Sequence, residues 1–404
     1  MKTFSIFLIT VALIAGMVCY VARPIEIRDW YDLNAIRDNL DDSYLLMNDL
    51  DSTTPGYEEL AGETANQGKG WQPIGTFVAG HHGLKSFEGT FDGQGYEIRD
   101  LFINRADESA VGLFRGVEQE GVIKDIGVVN ATVTGSGFTG TLVGLNHGAV
   151  RDSYFTGNMT GVDWVGGLVG LNDGTVSNSH SRGSVTGNGN VGGLMGRNFG
   201  TVSNSHSTGS VTGNYSVGGL VGGNDGTVSN SHSSTNVTGT STIGGLVGGA
   251  GGTVSSCYAT GNATGEEFIG GLLGLSVGTV NNTYSTGSVT GNSSVGGLVG
   301  DAFDGTVNNT YSTGSVTGNS SVGGLVGENE RSTVTNSFWD TQTSGQATSA
   351  GGTGKTTAEM ECIDTFSGAA WNIIAVAMNQ TTPAYIWNIV DDVTYPFLSW
   401  QSTT

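Results

Sequence analysis

From Thr139 onward the chain repeats one arrangement of apolar and polar positions every 26 residues. The run Val165-Gly-Gly-Leu-Val-Gly170 returns in close variants from Val191, Val217, Ile243 and Ile269, and again from Val295 and Val322. A fixed period of this size signals a stacked-repeat architecture and outranks any local motif. Three aliphatic columns emerge when the copies are aligned. One is Leu142, Leu168, Leu194, Leu220, Leu246, Leu272, Leu298 and Leu325. The second is Val150, Val176, Val202, Val228, Val254, Val280, Val307 and Val334, and the third runs from Met159 through Val185, Val211, Val237, Ala263, Val289 and Val316. Within one copy the columns are separated by 8, 9 and 9 residues. That spacing predicts three short strands per coil, each pointing one side chain into a shared interior, with Gly, Asn and Asp at the corners.

The fold this implies is all-β: a parallel β-solenoid, or β-helix, capped at both ends. Coils stacked at the inter-strand distance of about 4.8 Å would make a rod roughly 40 Å long from eight or nine copies. A propeller blade needs four strands and about 40 residues, so 26 is too short. A leucine-rich horseshoe would need a Leu-rich consensus that is absent. Stacking also accounts for the neutrality of the array, since a charged column would set like charges about 5 Å apart. The columns Thr175, Thr201, Thr227, Thr253, Thr279, Thr306 and Asn178, Asn204, Asn230, Asn282, Asn309 suit hydrogen-bonded ladders instead.

The flanks read differently. Residues 1–22 hold Lys2 and then an apolar run, Phe4–Ala22, with the character of a secretory signal or an uncleaved signal anchor. Either implies export to the cell surface or medium, with membrane contact only through this segment. Residues 23–110 read as a β-rich N-terminal cap. It holds one short helix, Trp30–Leu40, with Leu33, Ile36 and Leu40 on one face, and strands at Ser43–Met47, Phe87–Phe91 and Tyr96–Asn104. The repeats occupy 111–340. Residues 341–404 form a C-terminal cap, in which Thr356-Thr-Ala-Glu359 is a helix capping box. There Trp371, Trp387, Tyr395, Phe397 and Trp400 are suited to covering the last coil.

Composition narrows the function classes. The net charge of −21, with five Lys in 404 residues, leaves no basic stripe for nucleic acid. Of three cysteines, Cys19 lies in the leader, and Cys257 and Cys362 form neither a disulfide framework nor a Cys-x-x-Cys metal site; whether these two pair is open at this stage. Gly351-Gly-Thr-Gly-Lys-Thr356 looks like a phosphate loop, but Ser349 stands where the first Gly belongs and no apolar strand leads into it. No cofactor site follows.

Tyr154, His180, His206, His232, Tyr258, Tyr284, Tyr311 and Phe338 form one column, read as a stacked aromatic ladder with His as a substitute. Metal binding by the three His is disfavoured because stacked ligands run parallel rather than converge. Catalysis is disfavoured too: no array copy offers two carboxylates that must meet, and Asp173 and Asp225 are turn residues first. Sequons stand at Asn130, Asn158, Asn214, Asn236, Asn262, Asn281, Asn292, Asn308, Asn319 and Asn379, possible glycosylation sites in an exported protein of a glycosylating host.

The Gly-Leu-Val-Gly core, followed by Gly-Thr-Val-x-Asn-Ser and Gly-Ser-Val-Thr-Gly stretches, resembles the GLUG-motif repeat. Trp30–Leu40, Phe87–Gly95, Phe338–Gly345, Gly351–Met360 and Tyr395–Gln401 are similar to segments that accompany such arrays. The resemblance implies a bacterial or archaeal surface protein with no catalytic residues of its own. The expectation is therefore a non-enzymatic adhesin-like, stalk or envelope module that binds a glycan or protein. A carbohydrate-active β-helix enzyme, a polysaccharide lyase or hydrolase, is the alternative.

Overall fold

The computed structural model describes residues 23–77 and 84–401; the leader, with Cys19, lies outside them. The repeats form a parallel β-solenoid of about nine turns. One coil shows the plan. Strand Asp163–Gly166 lies on face 1, Val169–Asn172 on face 2, Thr175–Ser177 on face 3 and His180–Thr186 on face 4. Each pairs in parallel with its equivalent one coil on, so that Val165 lies beside Val191, Val176 beside Val202 and Val185 beside Val211. Val165, Leu168, Val176 and Val185 are all buried in the common core.

The coil has four strands where the column spacing predicts three. Leu168 does not sit on a strand; it occupies a sharp bend between faces 1 and 2. Glycine makes that bend workable. A Cβ on Gly166 would lie 2.1 Å from the Val169 carbonyl oxygen, and one on Gly170 would lie 2.3 Å from the Phe138 carbonyl carbon. Faces 1 and 2 thus pack backbone against backbone, much closer than two sheets separated by side chains can come.

The polar columns also divide differently from expectation. Asn178, Asn204, Asn230, Asn282 and Asn309 are corner residues in the left-handed region, with φ between 46° and 54°, where Asn is tolerated. Along that column Asn309 donates to Asn282 at 3.5 Å and Asn178 to Asp152 of the preceding coil at 3.1 Å, but no continuous ladder forms. The Thr column shows a single inter-coil hydroxyl contact, Thr306 to Thr279 at 3.4 Å. The continuous ladder lies instead in the core, at residues the columns above do not contain. Asn146, Asn172, Asn198 and Asn224 are fully buried at the end of face 2, and each side-chain amide donates to the next at 2.7–2.8 Å.

Both flanks extend the stack. In the N-terminal region, strands Ile25–Ile27, Ser43–Leu46 and Thr90–Asp92 add to face 3 in parallel. Helix Trp30–Ala35 is capped by Asp29, and Trp30, Leu33, Ile36 and Leu40 join the main core. The segment expected as one strand over Tyr96–Asn104 breaks at Asp100 (φ 59°) into Glu97–Arg99 and Phe102–Asn104. At the other end, Trp339 lies over Gly324 and Thr353–Lys355 pairs with Phe338–Asp340. Ser349 accepts from the backbone N–H groups of Leu325 and Val326, closing the last coil. Thr356 and Glu359 form the expected capping box.

The large aromatic residues after it do not cover the end of the rod. Residues 356–401 fold back along face 4 as a strap, where Trp371, Trp387, Met360 and Phe366 share a second core with Tyr284, Tyr311 and Phe338. The end is closed instead by Trp339, the 345–352 loop and strand Thr353–Lys355. The exposed aromatic column was the apolar surface still in need of cover.

Candidate functional site

Face 4 carries the aromatic column, and its geometry follows directly from the coil register. Rings from Tyr154 through His180, His206, His232, Tyr258 and Tyr284 to Tyr311 are stacked with centroids 4.7–5.0 Å apart and planes within 6°. The spacing is that of parallel strands, so the backbone holds the rings at contact distance without further adjustment.

The strap covers only part of this column. Trp400 lies 5.6 Å from Tyr258 and 6.1 Å from His232; Trp387 lies 5.9 Å from Tyr311. Each indole also donates to the corner beside the column. Trp400 Nε1 reaches the Ser256 carbonyl at 3.2 Å, Trp387 Nε1 the Asn282 side chain at 3.3 Å, and Trp371 Nε1 the Asn336 carbonyl at 2.8 Å. Asp340, fully buried, anchors the strap by accepting from Thr357 and Tyr395 hydroxyls, each at 2.7 Å. Burial pushes its carboxyl up, but those bonds, together with the backbone N–H groups of Thr343 and Gln342, hold it below the usual Asp range.

Beyond Trp400 the described residues of the strap leave the column uncovered. Tyr154, His180 and His206, with Thr156, Arg182 and Thr208 beside them, line a shallow groove of about 280 Å³. Arg182 is exposed in this otherwise acidic protein. Desolvation lowers the pKa of all three stacked imidazoles; for His206 and His232 the neighbouring imidazole adds to it, and His232 falls to about 4. At neutral pH the groove therefore presents neutral ring edges beside one permanent cation.

Other sequence-marked residues are scattered. The three His rings are parallel and share no convergent point, which is poor geometry for a metal. Cys362, Asp391 and Asp392 do have ligand atoms within 4.8 Å of one another, with both carboxylates exposed. Cys257 and Cys362 are not paired. Cys257 is fully buried and occupies a slot that holds Ser153, Ser179, Ser205 and Ser231 in earlier coils. Its thiol donates to the Ser255 carbonyl at 3.1 Å, as each of those hydroxyls does two residues back. Gly351 and Gly352 pack on Val334 and Leu325, so the phosphate-loop look-alike is part of the end closure. Asn281 and Asn308 are half-buried; the other eight sequon asparagines are exposed.

The expectation about carboxylates concerned single copies, and the structure adds a pairing between copies. Two carboxylates of successive coils do meet: Asp301 and Glu328 are register partners on face 2. The column holding them contains Leu145, Leu171, Arg197, Gly223, Gly249 and Leu275 in other coils. With so little chemical likeness along it, the aligned repeats gave no sign of the pair.

The GLUG motif matches residues 187–212 and 213–238, two consecutive 26-residue units. These units are GLUG repeats. The in-register neighbours on either side share their geometry, as the pairing of Val165, Val191, Val217 and Ile243 shows. A stretch of 139 residues is 31% identical to Halomucin of Haloquadratum walsbyi, covering 34% of this chain and 1% of that protein. Another of 136 residues is 36% identical to a protein of Evansella cellulosilytica named as a Gly-rich membrane protein, covering 32% of this chain and 14% of that one. The chain thus spans a small fraction of the length of these relatives. A solved structure from Bacteroides ovatus, named as an immunoglobulin A1 protease, covers 94% of this chain and 93% of its own at 16% identity, with a TM-score of 0.47. That likeness is too loose to bear on the activity of this chain.

Proposed function

We propose that this chain is a non-enzymatic cell-surface module that binds an extended glycan or protein along face 4, at the rungs from Tyr154 to His206. The observation that carries the reading is the way the chain's own strap docks. Flat aromatic groups lie against the column and donate to the corner of the same coil. The uncovered rungs present the same combination, with Arg182 added, to whatever lies alongside. Because coils repeat in register, weak contacts recur at equal steps along the rod, and their sum can exceed any single one.

The relatives support a surface setting by their names, a halomucin and a membrane protein. Among the described residues no helix is long and apolar enough to cross a membrane; in this reading the apolar run Phe4–Ala22 is the segment that would contact the membrane.

The test has two parts. Antibody labelling and protease shaving of intact cells should find the rod outside. Soluble protein from residue 23 onward should bind surface polysaccharide or envelope protein, and the variant R182A/H206A should lose that binding while keeping its β-rich spectrum. Equal binding by the variant would remove the site from face 4. Release of shorter sugars from a polysaccharide would make the chain an enzyme and overturn the reading.

A further inference from the structure

On face 2, the strands Val299–Phe303 and Val326–Glu330 place Asp301 directly beside Glu328, and Phe303 beside Glu330. Parallel neighbours in register lie about 5 Å apart, a distance at which like charges oppose stacking. Asp301 is only 8% exposed, and its Oδ1 is buried without a hydrogen-bond partner. The cation closest in sequence, Arg331, is committed to Asp304 through two bonds of 2.8 Å each. Ser294, itself buried, turns its hydroxyl into the same place and donates to Glu328 Oε2 at 2.7 Å.

A buried carboxylate oxygen without a donor, facing a second carboxylate, lacks both a positive charge and a coordinating partner. A hard cation supplies both at any pH where the acids are ionised. Calcium fits better than magnesium, because it accepts irregular sets of six to eight oxygens and keeps waters where the protein provides none.

We propose that Asp301 and Glu328 hold a divalent cation of the calcium class, with the Ser294 hydroxyl beside it, tying two coils together near the C-terminal end of the rod. Its role is structural: the ion turns a repulsive contact between coils into an attractive one. It is independent of ligand binding on face 4.

The experiment is a calorimetric titration of the chain from residue 23 with calcium chloride, at about 0.15 M KCl to screen diffuse binding to an acidic surface. The wild type should take up one equivalent that D301N and E328Q both lose. E120Q, an exposed acid elsewhere, and D391N, from the Cys362 cluster, should keep it. D301N is close to isosteric and removes an unpaired buried charge, so in chelator it should melt above the wild type. Unchanged calcium uptake in D301N, or loss of the equivalent in D391N instead, overturns the assignment. So does a wild-type melting temperature that is the same in calcium and in chelator.

Discussion

The buried amide ladder offers the sharpest test of the fold. Asn198 accepts from Asn172 at 2.8 Å and donates to Asn224 at 2.7 Å, and its amide also reaches the Gly200 and Thr227 carbonyls at 3.2 and 3.3 Å. Asn224 accepts one ladder bond, and its own amide reaches only the Gly226 and Thr253 carbonyls, because Ala250 takes the next place. N198A therefore breaks two ladder bonds in a fully buried setting, and N224A breaks one. Each net bond is worth about 1 kcal/mol, and each neighbour left unpaired in the core adds roughly 1–3 kcal/mol. The expected cost is about 3–5 kcal/mol for N198A and roughly half of that for N224A. Long repeat arrays need not unfold in one step, so hydrogen exchange at the amides of the affected coils is the better measure, with urea midpoints as support. Equal losses for the two variants, or less than about 0.5 kcal/mol for N198A, would refute the cooperative ladder.

Three further outcomes follow from the same geometry. A Cβ at Gly248 would lie 2.5 Å from the Gly222 carbonyl oxygen, whereas one at Gly249 meets nothing closer than 3.6 Å; G248A should lower the thermal midpoint by the equivalent of about 3 kcal/mol while its neighbour G249A leaves it nearly unchanged. The folded pKa values of His180, His206 and His232 lie below the usual His value, so the unfolded chain binds protons more readily. The contribution of these three groups to stability should be complete above pH 6.5 and be lost as the pH drops toward about 4, the folded value for His232; NMR titration showing three ordinary, independent imidazoles would contradict the stack. Under native conditions a thiol reagent should modify Cys362 and spare Cys257, which is buried with its thiol pushed up to about 12, and C257S should be tolerated because it restores the residue found at that place in other coils.

The period, the all-β class, the parallel stacking and the aromatic column were legible because they depend on identity between residues 26 apart. In a solenoid, equivalence along the chain becomes adjacency in space, so an alignment of copies is already a contact list. Tyr154, His180 and His206 stack because they occupy the same place in successive coils. Local signals with their own chemistry were equally plain: the Thr356–Glu359 box forms, and the helix expected over Trp30–Leu40 forms over Trp30–Ala35 and tightens into a 3-10 turn, Ile36–Asp38.

What only the tertiary structure decided is where unlike residues meet. The extra strand arises because glycine lets faces 1 and 2 approach backbone to backbone, and a column of aliphatic residues reads the same on a strand or in a bend. Whether Asn178 or Asn172 forms the ladder depends on which of them points inward, and both belong to columns of the same residue type. The strap's path along face 4, the open rungs beyond Trp400 and the meeting of Asp301 with Glu328 come from packing between segments that share no period. Repetition specifies contacts between equals; the sites that make this rod particular lie where the repetition is broken.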